Sequence, residues 1–99
     1  MYTATMNYYF KPEFYEKACE LWREGVIKIA EKREGFIRMQ FLVDGKNRAM
    51  AIGTWKSTAY AQDFMETGVF KNLMNQLKNF IEKDPEPKVW DLKYYSEKK

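Results

Sequence analysis

The sequence predicts an α+β chain in the ferredoxin-like order βαββαβ: a four-stranded antiparallel sheet with its helices on one face. Three observations predict it. Residues 2–10 and the two runs inside 36–55 alternate with a period of two, as half-buried strands do. Stripes with a period of 3.6 residues separate these runs, as amphipathic helices require. Asp44-Gly45-Lys46-Asn47 stands between the second and third runs, and Asp-Gly is a strong hairpin signal. Ninety-nine residues supply a single domain, residues 1–99, and are too few for two independent cores.

The elements follow in order. Strand 2–10 sets Tyr2, Ala4, Met6, Tyr8 and Phe10 on one side and Thr3, Thr5, Asn7 and Tyr9 on the other. Helix 12–34 opens on Pro12, whose missing N–H costs nothing in a first turn. Its stripe runs Phe14, Ala18, Leu21, Trp22, Gly25, Val26 and Ile29, and Gly35 ends it. Strands 36–43 and 48–55 form the hairpin. A split helix over 57–81 begins at Ser57, a capping residue type. It breaks near Gly68 and resumes with Phe70, Leu73, Met74, Leu77, Phe80 and Ile81 on one face. Asp84-Pro85-Glu86-Pro87 reads as an extended linker, and 88–95 as the last strand, with 96–99 frayed.

Helices on one face of a sheet leave the other face bare. The second strand offers Ile37, Met39, Phe41 and Val43 to one side and Phe36 and Leu42 to the other. The third sets Met50 and Ile52 against Trp55 and three small residues; the fourth sets Trp90, Leu92 and Tyr94 against Val89 and Tyr95. Both faces therefore read as apolar, and an open apolar face larger than about a few hundred Å² is rare on a monomer. A homodimer with paired sheets is the expectation.

Composition removes whole classes of chemistry. With no histidine, histidine triads and histidine-ligated zinc or haem are excluded. One cysteine, Cys19, permits neither an internal disulfide nor a cysteine-rich zinc site. No metal and no cofactor are expected. A net charge of +3 with interspersed signs argues against nucleic acid. No apolar run reaches the length of a membrane span, and Met1-Tyr2-Thr3 opens no secretion signal, so no membrane partner and a cytoplasmic location are expected.

The Glu34-Gly35-Phe36 junction and the run T-W-K-S-x-x-A-x-x-x-F-x-x-x-x-x-F, Thr54 to Phe70, resemble the dimeric α/β-barrel superfamily, in particular antibiotic-biosynthesis-monooxygenase-like domains. The resemblance covers nearly the whole chain and identifies a fold better than an activity. It implies one of two chemistries. The haem-degrading branch uses an asparagine, a tryptophan and a histidine, at positions corresponding to Asn7, Phe64 and Met74; two of the three differ here, which argues against haem degradation. The cofactor-free oxygenases let a phenol or quinol, bound as its anion, react directly with O₂. They need a dry pocket, orientation and donors near the anion.

On that resemblance the candidate catalytic residues are Asn7, Tyr60 and Arg38. The candidate ligand-binding residues are Asn7, Tyr9, Tyr15, Trp22, Phe64 and Met74, in a pocket between helices and sheet. Each has a plainer reading. Asn7 inside a strand needs its amide satisfied by a neighbour or water. Trp22, Tyr15, Phe64 and Met74 sit at core spacing. Arg38 suits an ion pair at a sheet edge or dimer interface. Trp55 reads as a plug where strand and helix diverge. Gly25 implies close packing or room for a ligand, and Cys19 has no base beside it.

Two functions follow as expectations. One is a cofactor-independent monooxygenase-like protein acting on a small phenolic or quinol-type compound. The other is a non-catalytic dimer that binds a small aromatic molecule as sensor or carrier. Gly35-Phe36-Ile37-Arg38-Met39-Gln40-Phe41 faintly echoes the aromatic strand motif of RNA-recognition domains, but on the second strand rather than the third.

Overall fold

A computed structural model describes residues 1–45 and 47–98. The elements are β1 (Tyr2–Phe10), α1 (Tyr15–Trp22), α2 (Lys28–Ala30), β2 (Phe36–Asp44), β3 (Arg48–Trp55), α3 (Thr58–Met65), α4 (Val69–Leu77) and β4 (Ile81–Asp91). A 3-10 turn, Pro12–Phe14, precedes α1, and a π-helical segment, Arg23–Ile27, joins α1 to α2. Lys46 of the hairpin turn and Lys99 lie outside the described residues. Among the described residues no helix is long and apolar enough to cross a membrane.

The strands form one antiparallel sheet in the order β2-β3-β1-β4, the ferredoxin-like arrangement. The helices cover the face that carries Tyr8, Phe10, Phe41, Ala49, Ala51 and Trp55. Trp22, Tyr8, Phe10, Phe64, Leu77 and Val26 are the largest side chains fully buried there. Phe41 anchors the layer by stacking on Trp22, with ring centroids 4.5 Å apart. The small Ala18 and Ala30 are also fully buried, so the first helical stretch packs closely along its inner stripe.

Four local expectations are corrected. The first helical stretch ends at Ala30 rather than 34, and α4 ends at Leu77 rather than 81. The last strand begins at Ile81, seven residues before the expected 88, and stops at Asp91. The supposed linker Asp84-Pro85-Glu86-Pro87 lies inside it. β4 is an edge strand, where a proline's missing N–H need not break a ladder on both sides. Ser57 holds the N-cap position of α3 with extended backbone, but its side chain makes no cap hydrogen bond.

A register shift between Phe36 and Arg38 moves Phe36 across the sheet. One extra residue in a bulge reverses the side on which earlier residues project. Phe36 thereby joins Met39 and Phe41 on the helix face, and its ring meets Trp55 edge-on at 5.5 Å. Gly25 sits in the π-helical segment. A Cβ there would lie 3.7 Å from Leu73 on α4, an ordinary contact, so the helices meet closely at that point.

The open face is less apolar than expected. Leu42, Met50, Ile52 and Trp90 share it with Thr3, Thr5, Asn7, Tyr9, Gln40 and Arg48, following the pairings of β1, β3 and β4. Thr3 and Thr54 hydrogen-bond there, 3.2 Å apart, near one end of the central β1–β3 pair. Beyond β4 the chain reaches the opposite edge strand. There Arg38 lies 3.4 Å from the Glu97 carboxylate and 4.7 Å from the Tyr95 ring centre.

Candidate functional site

A cavity of about 80 Å³ lies between the sheet and the helices. Its origin is legible in strand composition. Ala4 pairs with Gly53, and Met6 with Ala51, so two adjacent central strands present small groups side by side on the helix face. Ala61 on α3 faces them across the layer. Packed helices cannot close over a floor with so little bulk, and a hollow remains. Its walls are Trp22, Trp55, Phe64 and Phe70, with Met6, Met39 and Met65 at the margins. The exposed Met65 and Val89 mark its mouth, between the end of α3 and edge strand β4. One water needs roughly 10–15 Å³ on this measure, so the hollow has room for about six waters or one small ring.

The wall side chains are held by aromatic contacts. Trp55 is 3% exposed and packs on Phe64, centroids 5.1 Å apart; Phe64 in turn meets Phe70 edge-on at 5.7 Å. Trp22 is 1% exposed, and its indole N–H donates to the Tyr8 hydroxyl at 3.0 Å. That bond orients the Trp22 ring and satisfies a buried polar pair.

Burial pushes the Tyr8 phenol up to about 12, against the smaller opposing effect of the Trp22 N–H. In the unfolded chain the phenol titrates near 10.0. The folded state therefore favours the protonated form. Its contribution is complete below about pH 10 and is lost as pH rises towards 12, amounting to about 3 kcal/mol. Tyr8→Phe should flatten that part of the alkaline stability profile in urea titrations at stepped pH. An unchanged slope between pH 10 and 12 would show that Tyr8 ionises freely when folded.

The structure separates the sequence-predicted residues into groups. Trp22 and Phe64 line the cavity together. Asn7 and Tyr9 lie on the opposite face of the sheet, because alternation along β1 sends Tyr8 and Phe10 to the helices. Asn7 neighbours Leu42, Arg48 and Met50 there. Tyr9 donates its hydroxyl to Glu86 at 2.6 Å, a bond that raises its pKa, and Lys83 lies 4.0 Å from its ring centre.

The other candidates are also away from the cavity. Arg38 is on the open face with Glu97 and Tyr95. Tyr60 lies against Gly35, beside Lys32, Arg33, Glu34 and Asp63. Tyr15 packs at the core margin near Cys19, and burial pushes the Cys19 thiol up, away from thiolate chemistry. Met74 is half-buried on α4 and is not among the cavity-lining residues. The pocket expected around Asn7, Trp22, Phe64 and Met74 therefore keeps two of those four.

Trp55, Gly53, Met39 and Phe70 line the cavity and were not among the expected site residues. A signal for them existed. Ala49, Ala51 and Gly53 alternate ahead of Trp55, and three small residues on the buried face of a central strand leave space that something must fill. Trp55 is thus both core and wall. A Cβ at Gly53 would lie 3.1 Å from the Met39 methyl and 3.6 Å from the Trp55 indole nitrogen. The Met39 tip is flexible and can yield. Gly53→Ala is expected to leave the thermal midpoint within about 5 °C while weakening a cavity ligand about tenfold by filling the floor. Melting and ligand titration of the same preparation check both parts.

Among the described residues no cluster of three metal-ligating side chains is present. No protein-family model and no curated protein matches the sequence. Solved structures do match. An antibiotic biosynthesis monooxygenase superposes with a TM-score of 0.80 at 20% identity, over 95% of this chain and 100% of its own. The monooxygenase from the gene ActVA-Orf6 of Streptomyces coelicolor, in complex with Nanaomycin D, gives 0.79 at 14% identity, over 99% of this chain and 92% of its own. SnoaB, a cofactor-independent oxygenase from Streptomyces nogalater, gives 0.76 at 14%, over 95% and 94%. At such identities the likeness speaks to the fold. The chain has the ferredoxin-like α+β fold of the antibiotic biosynthesis monooxygenase structures.

Proposed function

We propose that the chain is a cofactor-independent, monooxygenase-like protein that takes a small phenolic or quinol-type compound into the helix–sheet cavity. The observation that supports this best is the cavity itself: a floor of small residues with four aromatic walls, in the fold of structures that include a cofactor-independent oxygenase. Oxidation of a phenol to a quinone by O₂ balances without an external reductant. One oxygen atom replaces a ring hydrogen and becomes the second carbonyl; the other leaves as water with that hydrogen and the hydroxyl hydrogen. The substrate supplies the electrons. The protein's part is to exclude water and fix the ring, which apolar walls do well.

A second reading has its own observation. Among the described residues Lys88, on the exposed edge strand, is the only ionisable side chain lining the cavity, and it lies 4.1 Å from the Trp90 ring centre on the open face. Nothing inside takes a phenolic proton, which favours a carrier or sensor that binds without turnover. Oxygen uptake with hydroquinones and one-ring phenols, run beside a tryptophan-fluorescence titration, separates the two. Uptake above the uncatalysed rate supports the oxygenase, and saturable quenching without uptake supports the carrier. Neither response would remove the cavity as a binding site.

We infer a homodimer in either case. Leu42 and Trp90 are each 47% exposed on the open face beside Met50 and Ile52, and a second copy of that face would cover them. Light scattering on a sizing column should give about twice 11.9 kDa. A concentration-independent monomer would rule the pairing out.

A further inference from the structure

The sheet face that the helices leave open is not open along its whole length. Thr3 and Thr54 lie on it, yet they are 9% and 6% exposed, while their next neighbours on that face, Thr5 and Ile52, are only half-buried. Register explains the difference. Trp90, Thr3, Thr54 and Arg38 form one row across all four strands. The chain leaves β4 at Asp91, beside one end of that row, where the Leu92 N–H donates to the Met1 carbonyl at 3.3 Å. It arrives at the other end, where the Arg38 guanidinium lies 4.7 Å from the Tyr95 ring centre and 3.4 Å from Glu97. Three strand spacings are about 14 Å, and four extended residues reach about the same distance. Residues 92–95 therefore cross the row with no slack, and the Tyr95 hydroxyl donates to Glu97 at 2.6 Å beside Arg38.

We propose that residues 92–98 are a strap that shuts one end of the open face, and that the strap and a second copy of the chain compete for that end. This rests on the reading of the open face as a homodimer surface. Paired sheets stand about 10 Å apart, and a chain lying on one of them fills that gap. A second sheet thus covers Leu42, Met50, Ile52 and Trp90 together only when the strap has swung off the Trp90–Arg38 row. The contacts that hold it are weak. The Glu97 side chain is 65% exposed, so its ion pair with Arg38 is screened by water. Tyr94 is 84% exposed and adds little packing. Beneath the strap are two threonines already bonded to each other, whose hydroxyls water solvates once it lifts. The strap is a latch, loose enough to open and placed where opening decides pairing. Its hinge is the end of β4 at Asp91.

The test uses the full-length chain and its dimer dissociation constant, measured by light scattering on a sizing column across a dilution series. Glu97→Lys sets a like charge against Arg38 and opens the latch. It should tighten the dimer at least about tenfold, because both protomers must open and each shut strap withholds one from pairing. Arg38→Glu in the Glu97→Lys background re-forms the pair with its charges exchanged, and should return the constant towards the wild-type value. A second readout needs no variant. In the ¹⁵N-labelled wild-type dimer, the backbone heteronuclear NOEs of residues 93–97 should be those of mobile chain. Weaker pairing of Glu97→Lys, or an ordered strap in the dimer, makes the segment part of the interface and overturns the competition. An unchanged constant overturns it too, since the latch then does not govern pairing. If wild type and Glu97→Lys both stay monomeric at every concentration, the homodimer reading falls and this inference with it.

Discussion

Replacing Trp22 by alanine is expected to cost about 3–5 kcal/mol of folding free energy, the usual range for emptying a buried tryptophan site. Small domains have about 5–15 kcal/mol in total. Trp22 stacks on Phe41, closes one wall of the cavity and holds the Tyr8 hydroxyl. Its removal enlarges an existing hollow, and a wall with no atoms opposite it loses those contacts outright. The thermal midpoint should fall by at least about 12 °C for a chain of this size. Trp22→Phe keeps a ring against Phe41 but drops the N–H, and should cost about 1–3 kcal/mol. Urea unfolding of the two variants checks the order. An alanine variant within about 1 kcal/mol of wild type would mean that the hollow closes over the lost ring.

Gly35→Ala should be nearly as damaging, for a different reason. Gly35 has φ +82°, a left-handed conformation that costs an ordinary residue roughly 1–2 kcal/mol. A methyl there would also penetrate the Tyr60 ring, at its Cβ, Cγ and Cδ2 atoms. Overpacking of this kind adds about 1–3 kcal/mol. The two causes can be separated. Tyr60→Ala in the Gly35→Ala background should return the clash component and leave the backbone component, a non-additivity that a double-mutant cycle measures. If the costs of Gly35→Ala and Tyr60→Ala simply add in the double variant, the clash is absent and backbone strain carries the whole effect of Gly35→Ala. The same packing gives Tyr60 a structural role, since its ring covers the junction between the first helical stretch and β2.

The oxygenase and carrier readings lead to the same expectation for Tyr60 and Arg38. Neither is among the cavity-lining residues, so Tyr60→Phe and Arg38→Lys should leave binding of a cavity ligand unchanged. Asn7 lies behind the sheet from the cavity, and an effect of changing it would arrive through dimer contacts if the open faces pair.

Period-two alternation and the 3.6-residue stripes determined the element types, because local backbone geometry fixes side-chain direction within one strand or helix. β1 and β3 keep their expected bounds, Tyr2–Phe10 and Arg48–Trp55, and the Asp-Gly turn between β2 and β3 stands, with Gly45 at φ +67°. The bounds of β4 were not local information. Main-chain pairing to β1 extends that strand back to Ile81 across two register irregularities and two prolines that propensity alone sets outside a strand. Side-chain parity was legible in β1, but which side faces the helices was not. Asn7 alternates with Tyr8, so only one of them can share a layer with Trp22, and the packing of Phe10, Phe41 and Trp22 decided for Tyr8. The cavity was a tertiary decision throughout. Ala4, Ala51, Gly53 and Ala61 are scattered along the chain, and each alone is an unremarked small residue. Sheet register brings three of them to one floor, and the helix layer places the fourth above it. Empty space depends on which small groups meet, and that is fixed when the layers pack.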